Sequence, residues 1–162
     1  MRPIPRLTFS FLEWFEKQNT KEFNLVEFGA GDSTIYFSNY FKKVTSYEDD
    51  LTYFDKIKNL NIPNVEIILF NFENIGNLKF KQSIQEAHII LIDNNPGNIS
   101  REVVAKNLID VYNYRNILIL DNGNLNYRAY LYLKKNYKIV YNFLGRNYED
   151  PETVTTVFVD RK

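Results

Sequence analysis

Short apolar runs alternate with segments of helical periodicity along most of this chain. The runs fall at residues 24–28, 44–47, 65–70, 88–92, 117–120, 139–143 and 153–159. Their spacing predicts seven strands. The first five are continuous in Ile, Leu, Val and Phe, as in strands covered on both faces, whereas TVTTVFV alternates as an edge or antiparallel strand does. Helical patterns fall at about 9–17, 33–42, 51–60, 100–114 and 127–136. Strand and helix in alternation predict an α/β fold, a Rossmann-like doubly wound sheet, mostly parallel, with helices on both faces. Only a turn-rich segment, 145–152, separates the last two strands, so they are expected to pair as a hairpin and place one antiparallel strand near the C-terminus. Residues 71–87 show the least regular pattern and read as a surface loop with one helical turn.

Composition narrows this picture. The chain has 162 residues, 44% of them hydrophobic and 16% aromatic, enough for one core and one domain, with 1–20 as an N-terminal helical segment. Twenty basic residues balance twenty acidic ones, which argues against a nucleic-acid partner. The absence of cysteine excludes disulfides, thiolate metal sites and cysteine nucleophiles and fits a cytoplasmic protein. TFSFLEWF follows two arginines, but its apolar run is short and Glu13 interrupts it, so an amphipathic helix is expected and neither a signal peptide nor a membrane span.

In an open parallel sheet, ligands bind beyond the carboxyl ends of the strands. Here those ends carry Glu27 to Thr34, Glu48, Asn71, Asp93 to Gly97 and Asp121 to Asn124. The first is VEFGAGDST. Gly29 and Gly31 let backbone pass close to a ligand, and Ser33 and Thr34 stand near the first turn of the next helix. Glu48 ends the second strand, where its two oxygens can accept both hydroxyls of a ribose. A dinucleotide site and a sulfonium nucleoside site both use such a glutamate. The dinucleotide fingerprint, however, needs a small residue where this chain has Thr34, and it has no use for Glu27 two residues before the first glycine. A ligand carrying an ammonium group does.

On these residues, LVEFGAGDSTIYFSNYFKKVTSYEDD resembles the first two motifs of class I S-adenosylmethionine-dependent methyltransferases, and is closest to small bacterial methyltransferase-like proteins with the opening Glu-Phe-Gly-x-Gly-x-Ser-Thr. HIILIDNNPGN resembles their fourth-strand motif and NILILDNGNLNYRAYLYL their fifth strand and next helix. FLGRNYEDPETVTTVFVDRK is similar to their closing hairpin. The resemblance implies an S-adenosylmethionine site in which Glu27, Gly29, Ala30, Gly31, Ser33 and Thr34 face the methionine part. Glu48 would hold the ribose, and Asn71 and Phe72 would lie near the adenine. Where members of the family commonly have Asp-Gly after the fourth strand, this chain has Asp93-Asn94. The implied activity is methyl transfer to a small-molecule acceptor, with a homo-oligomer's second subunit as one source of cover over it.

Methyl transfer from a sulfonium depends mainly on alignment, so a strong base is optional. The single histidine, His88, begins the fourth strand, and five residues at ~3.3 Å each put it roughly 16 Å from the ligand end. It is expected to be structural. Asp93 is the candidate catalytic residue. Together Asp93, Asp121 and Asn122 resemble the Mg²⁺ site of catechol-type O-methyltransferases, where the metal acidifies a hydroxyl; the competing reading is that they end strands and cap helices. Tyr127 and Arg128 open a helix near the same rim. No Gly-x-Ser-x-Gly elbow or Walker loop occurs. Two alternatives stand beside transfer: a cofactor-binding module of the same fold without activity, and a nicotinamide-dependent oxidoreductase.

Overall fold

The polypeptide forms a seven-stranded sheet in the order β3-β2-β1-β4-β5-β7-β6. The structure, a computed structural model, describes residues 4–71, 75, 78–95 and 99–162. In chain order the elements are α1 (Phe9–Phe15), β1 (Asn24–Phe28), α2 (Asp32–Phe37), β2 (Lys43–Glu48), α3 (Leu51–Lys58), β3 (Val65–Leu69) and α4 (Leu78–Glu86). After them come β4 (Ile89–Ile92), α5 (Arg101–Lys106) with a π-helical turn (Asn107–Val111), β5 (Ile117–Leu120), α6 (Tyr127–Asn136), β6 (Tyr137–Gly145) and β7 (Thr153–Arg161).

β1 pairs in parallel with β2 on one side and β4 on the other, Val26 lying between Thr45 and Ile90. Chain connections leave these two central strands in opposite directions, and such a reversal opens a crevice at the strands' carboxyl ends. β4 is buried along its whole length. Ile90 and Ile92 join the core under α4, α5 and α6, while Ile89 and Leu91 join the core under α1 and α2. β3 is an edge strand and is half-exposed, unlike the doubly covered strand its apolar run predicts.

β7 runs antiparallel to both β5 and β6 and lies between them, so the alternating TVTTVFV is an interior strand and β6 is the edge. Its threonines are buried because each hydroxyl has a partner: Thr153 donates to Asn122, Thr155 to Asp121 and Thr156 to Asn142. On the α1 face, Phe11 packs against Trp14, Phe15 and Phe143. A truncation such as Phe11→Ala costs about 3–5 kcal/mol in sites of this kind.

Two predicted elements differ. The loop expected over 71–87 contains the nine-residue helix α4, in which Phe80 and Ile84, four apart on one face, are 2% and 0% exposed. The helix expected over 33–42 stops at Phe37. Ser38 and Asn39 side chains take the carbonyls of Ile35 and Tyr36, and Asn64 donates to Ser38 and Phe41, competing with further helical bonds. No helix among the described residues is long and apolar enough to cross a membrane.

Candidate active site

At the carboxyl ends of β1, β2, β4 and β5 lies a cavity of about 430 Å³. The turn Gly29, Ala30, Gly31, Asp32 and Ser33 lines it, with Glu48, Asp50, Tyr53 and Lys56 on one side. Arg6, Asp93, Asn95, Arg101, Asp121 and Asn122 line the other.

The two glycines of the turn differ in what demands them. Gly29 has φ +94, and a Cβ there would lie 2.6 Å from the Asp93 carbonyl oxygen, so backbone conformation and close packing on β4 both require glycine. Gly31 has extended backbone, φ 179, and a Cβ there would meet nothing within 4 Å. Neither strain nor packing explains it. The space it leaves belongs to the cavity.

Glu27 supports this turn from behind and is not among the lining residues. It is 0% exposed, and its carboxylate accepts from Ser33, from Thr34 at 2.6 Å and from Ser46 at 2.7 Å. Thr34 Oγ1 also accepts the Gly31 N–H at 3.0 Å, so the helix start offers that amide to Thr34. Burial raises the Glu27 pKa from 4.5 to about 7, the three hydroxyls opposing it. Glu48 does line the cavity, and its oxygens accept from the N–H groups of Ala30 (2.6 Å), Asp49 (2.9 Å) and Asp50 (2.8 Å). Those bonds hold the glycine turn against the end of β2. Burial raises Glu48's pKa and the Asp50 and Ala30 N–H groups oppose it.

Asp93 and Asp121 converge, but on a guanidinium. Arg101 donates from Nη2 to Asp93 Oδ1 at 2.9 Å, from Nε to the Asn94 carbonyl at 3.0 Å and from Nη1 to the Asp121 carbonyl at 2.5 Å. Asn122 turns its amide oxygen to Thr153. The Mg²⁺ expectation for Asp93, Asp121 and Asn122 is therefore corrected: a fixed cation already lies beside both aspartates, the third ligand oxygen is engaged elsewhere, and no group of three potential metal-binding His, Asp or Glu side chains forms among the described residues. Burial pushes the Asp93 carboxyl up against the opposing effect of Arg101, and pushes Asp121 well above the usual carboxylate range.

Asn71 is exposed and is not a lining residue, and Phe72 lies outside the described residues. His88 stands at the opposite end of the sheet, stacked on Phe23 with Nδ1 accepting the Asn24 N–H at 3.1 Å. Sequence reasoning missed Arg6, Asp50, Tyr53, Lys56 and Arg101 as lining residues. For Arg101 a signal existed, since a cation in a helix's first turn opposes the helix dipole and so hints at a tertiary partner.

No family model and no curated protein sequence matches this chain. Solved structures do. A Streptococcus pneumoniae protein provisionally assigned as a tRNA (m1A22) methyltransferase, in complex with S-adenosylmethionine, matches with TM-score 0.66 and 15% identity, covering 96% of this chain and 75% of its own. The fold is that of class I methyltransferases. A methyltransferase-like protein of Streptococcus mutans, solved with S-adenosylhomocysteine, matches with TM-score 0.58 and 15% identity over 93% of this chain and 94% of its own. An rRNA methylase of Streptococcus thermophilus matches with TM-score 0.58 and 15% identity over 91% and 92%. These neighbours overturn the exclusion of nucleic acid drawn from the balanced charge. Net charge bounds only the long-range field, and an enzyme that takes one unpaired base needs a pocket more than a basic face.

Proposed function

We propose that this chain binds S-adenosylmethionine in the cavity and is a methyltransferase. The observation that carries the reading is Gly31, a glycine that neither backbone strain nor packing requires, at the rim of a cavity whose volume falls within the roughly 300–1,000 Å³ usual for ligand sites. Gly31 and Ser33 would border the methionine part, Glu48 the ribose, and Asp50 with Tyr53 the adenine side. Glu27 acts through the turn, holding Ser33 and Thr34 in place. Bound there, S-adenosylmethionine supplies an electrophilic methyl group. The chain's own part is to hold the turn rigid, to keep Asp93 at the acceptor side, and to fix that carboxylate with Arg101.

The nicotinamide reading is less well supported, because Thr34 and Glu27 are joined in the network beneath the turn. We take the acceptor to be a compact group that shares this cavity, carried on a small molecule or on an unpaired nucleotide. Calorimetry with S-adenosylhomocysteine, S-adenosylmethionine and NAD tests the cofactor. Binding of NAD alone, or of none of the three, would sink the reading. Labelled-methyl transfer to a metabolite extract and to total RNA then assigns the acceptor class, and separates an enzyme from a binding module.

A further inference from the structure

Three ionisable groups on the acceptor side of the cavity, two buried and one partly buried, carry charges that do not cancel. Arg101 is 5% and Asp121 1% exposed, and Asp93 stands beside them, so two ionised carboxyls would face one guanidinium. Asp121 Oδ1 accepts the Thr155 hydroxyl at 3.0 Å, and that hydroxyl oxygen itself accepts the Thr8 N–H at 3.0 Å. The hydroxyl's one hydrogen is directed at Oδ1, which therefore serves as the acceptor in this chain of bonds. Oδ2 is buried and makes no hydrogen bond, with Arg101 Nη1 3.8 Å away. An ionised oxygen buried without a donor is costly, whereas a protonated one is neutral and can turn its hydrogen toward the Asp93 carboxylate, with which the Asp121 side chain is in hydrogen-bonding reach.

Resting on the methyltransferase reading, we propose that Asp93 and Asp121 hold one proton between them, on Asp121 Oδ2, and that the ionised Asp93 takes the proton of an acceptor nucleophile that carries hydrogen, an amine or a hydroxyl. Arg101 and the shared proton together neutralise both carboxyls, which is what a divalent ion was expected to do. In the transfer, the acceptor's X–H bond breaks as its X–CH₃ bond forms. The proton passes to the Asp93 carboxylate, and the electron pair of the broken S–CH₃ bond stays on sulfur. Burial first, then the Asp93 charge, favour the neutral form of Asp121, while Arg101, the Thr155 hydroxyl and the Asn122 N–H oppose it. Arg6 acts on Asp93 in the same sense as Arg101, and Glu27 on β1 also faces Asp93.

The first test uses the protein without cofactor, so it stands apart from the cofactor reading. Urea unfolding of wild type and Asp121→Asn is followed from pH 5.5 to 8.5. The amide copies a neutral carboxyl, so the variant is expected to fold, and the ratio of wild-type to variant folding constants should fall about tenfold per pH unit, one proton's worth. Equal slopes, or a variant unfolded at pH 7, would overturn the pair. Infrared spectroscopy gives a second measure on wild type at pH 8.5, where Glu27 is ionised: a protonated-carboxyl C=O band must be present, and its absence would overturn the proposal. Calorimetry with S-adenosylhomocysteine on the same samples keeps the two readings apart, since a lack of binding sinks the cofactor site while slope and band still report the pair. With the extract or RNA that supports labelled transfer, Asp93→Asn should lose at least about 100-fold in kcat, the lower end of general-base effects, at unchanged S-adenosylhomocysteine affinity; a retained rate would overturn the role of Asp93.

Discussion

A Cβ on Gly29 would stand 2.6 Å from the carbonyl oxygen of Asp93, so the first glycine of the turn is what lets β1's end lie against β4's. Gly29→Ala is therefore expected to destabilise the fold by about 1–3 kcal/mol, the range for a strained backbone position. Gly31→Val should leave the melting temperature near wild type and abolish S-adenosylhomocysteine binding. Calorimetry on the folded Gly31→Val protein decides it, because unchanged affinity would remove the cofactor from this turn.

Glu48 is tied to three backbone N–H groups before any ligand arrives. Glu48→Ala should then cost stability as well as affinity, about 1–3 kcal/mol for buried donors left without a partner. Urea denaturation and calorimetry together separate the two effects. A variant with full stability and weakened binding would mean that the N–H bonds contribute little and that Glu48 acts on the ligand alone.

What was legible in the sequence follows from how local its cause is. β1, β5 and α6 are set by short-range pattern and have the expected bounds. α4 is weakly marked in the sequence because, among its described side chains, the buried positions are Phe80 and Ile84 on an otherwise polar stretch. β7's interior place was hidden because its polar threonines are buried only by virtue of partners far along the chain, such as Asp121 and Asn142. The site was half legible for the same reason. Glycines and strand-end acids show in the sequence, whereas the reach of Arg101 to both Asp93 and Asp121 depends on where α5 docks, which no local pattern encodes.

Glu27 gives a pH dependence of definite sign. Its pKa rises from 4.5 to about 7 on folding, so the folded state binds more protons between those values. Its contribution to stability is complete below about pH 4.5 and is lost as pH rises through 7, in total about 3 kcal/mol at 1.36 kcal/mol per unit. Glu27→Gln should remove that part of the slope. Parallel stability curves for variant and wild type between pH 5 and 8 would show that Glu27 stays ionised behind the turn.

Arg101 should be the most damaging position on the acceptor side to alter. Arg101→Met leaves Asp93 and the Asn94 and Asp121 carbonyls without their donor, and loss of one partner of a buried ion pair costs about 3–5 kcal/mol. Arg101→Lys should recover little, since a single ammonium cannot reproduce a planar fork aimed at three acceptors. The damage should ease at low pH, where protonation removes the carboxylate charge that the guanidinium neutralises. Urea denaturation of both variants at pH 5 and pH 8 checks this. A lysine variant as stable as wild type, or a methionine variant whose loss is the same at both pH values, would mean that Arg101 packs the strand ends together without neutralising them.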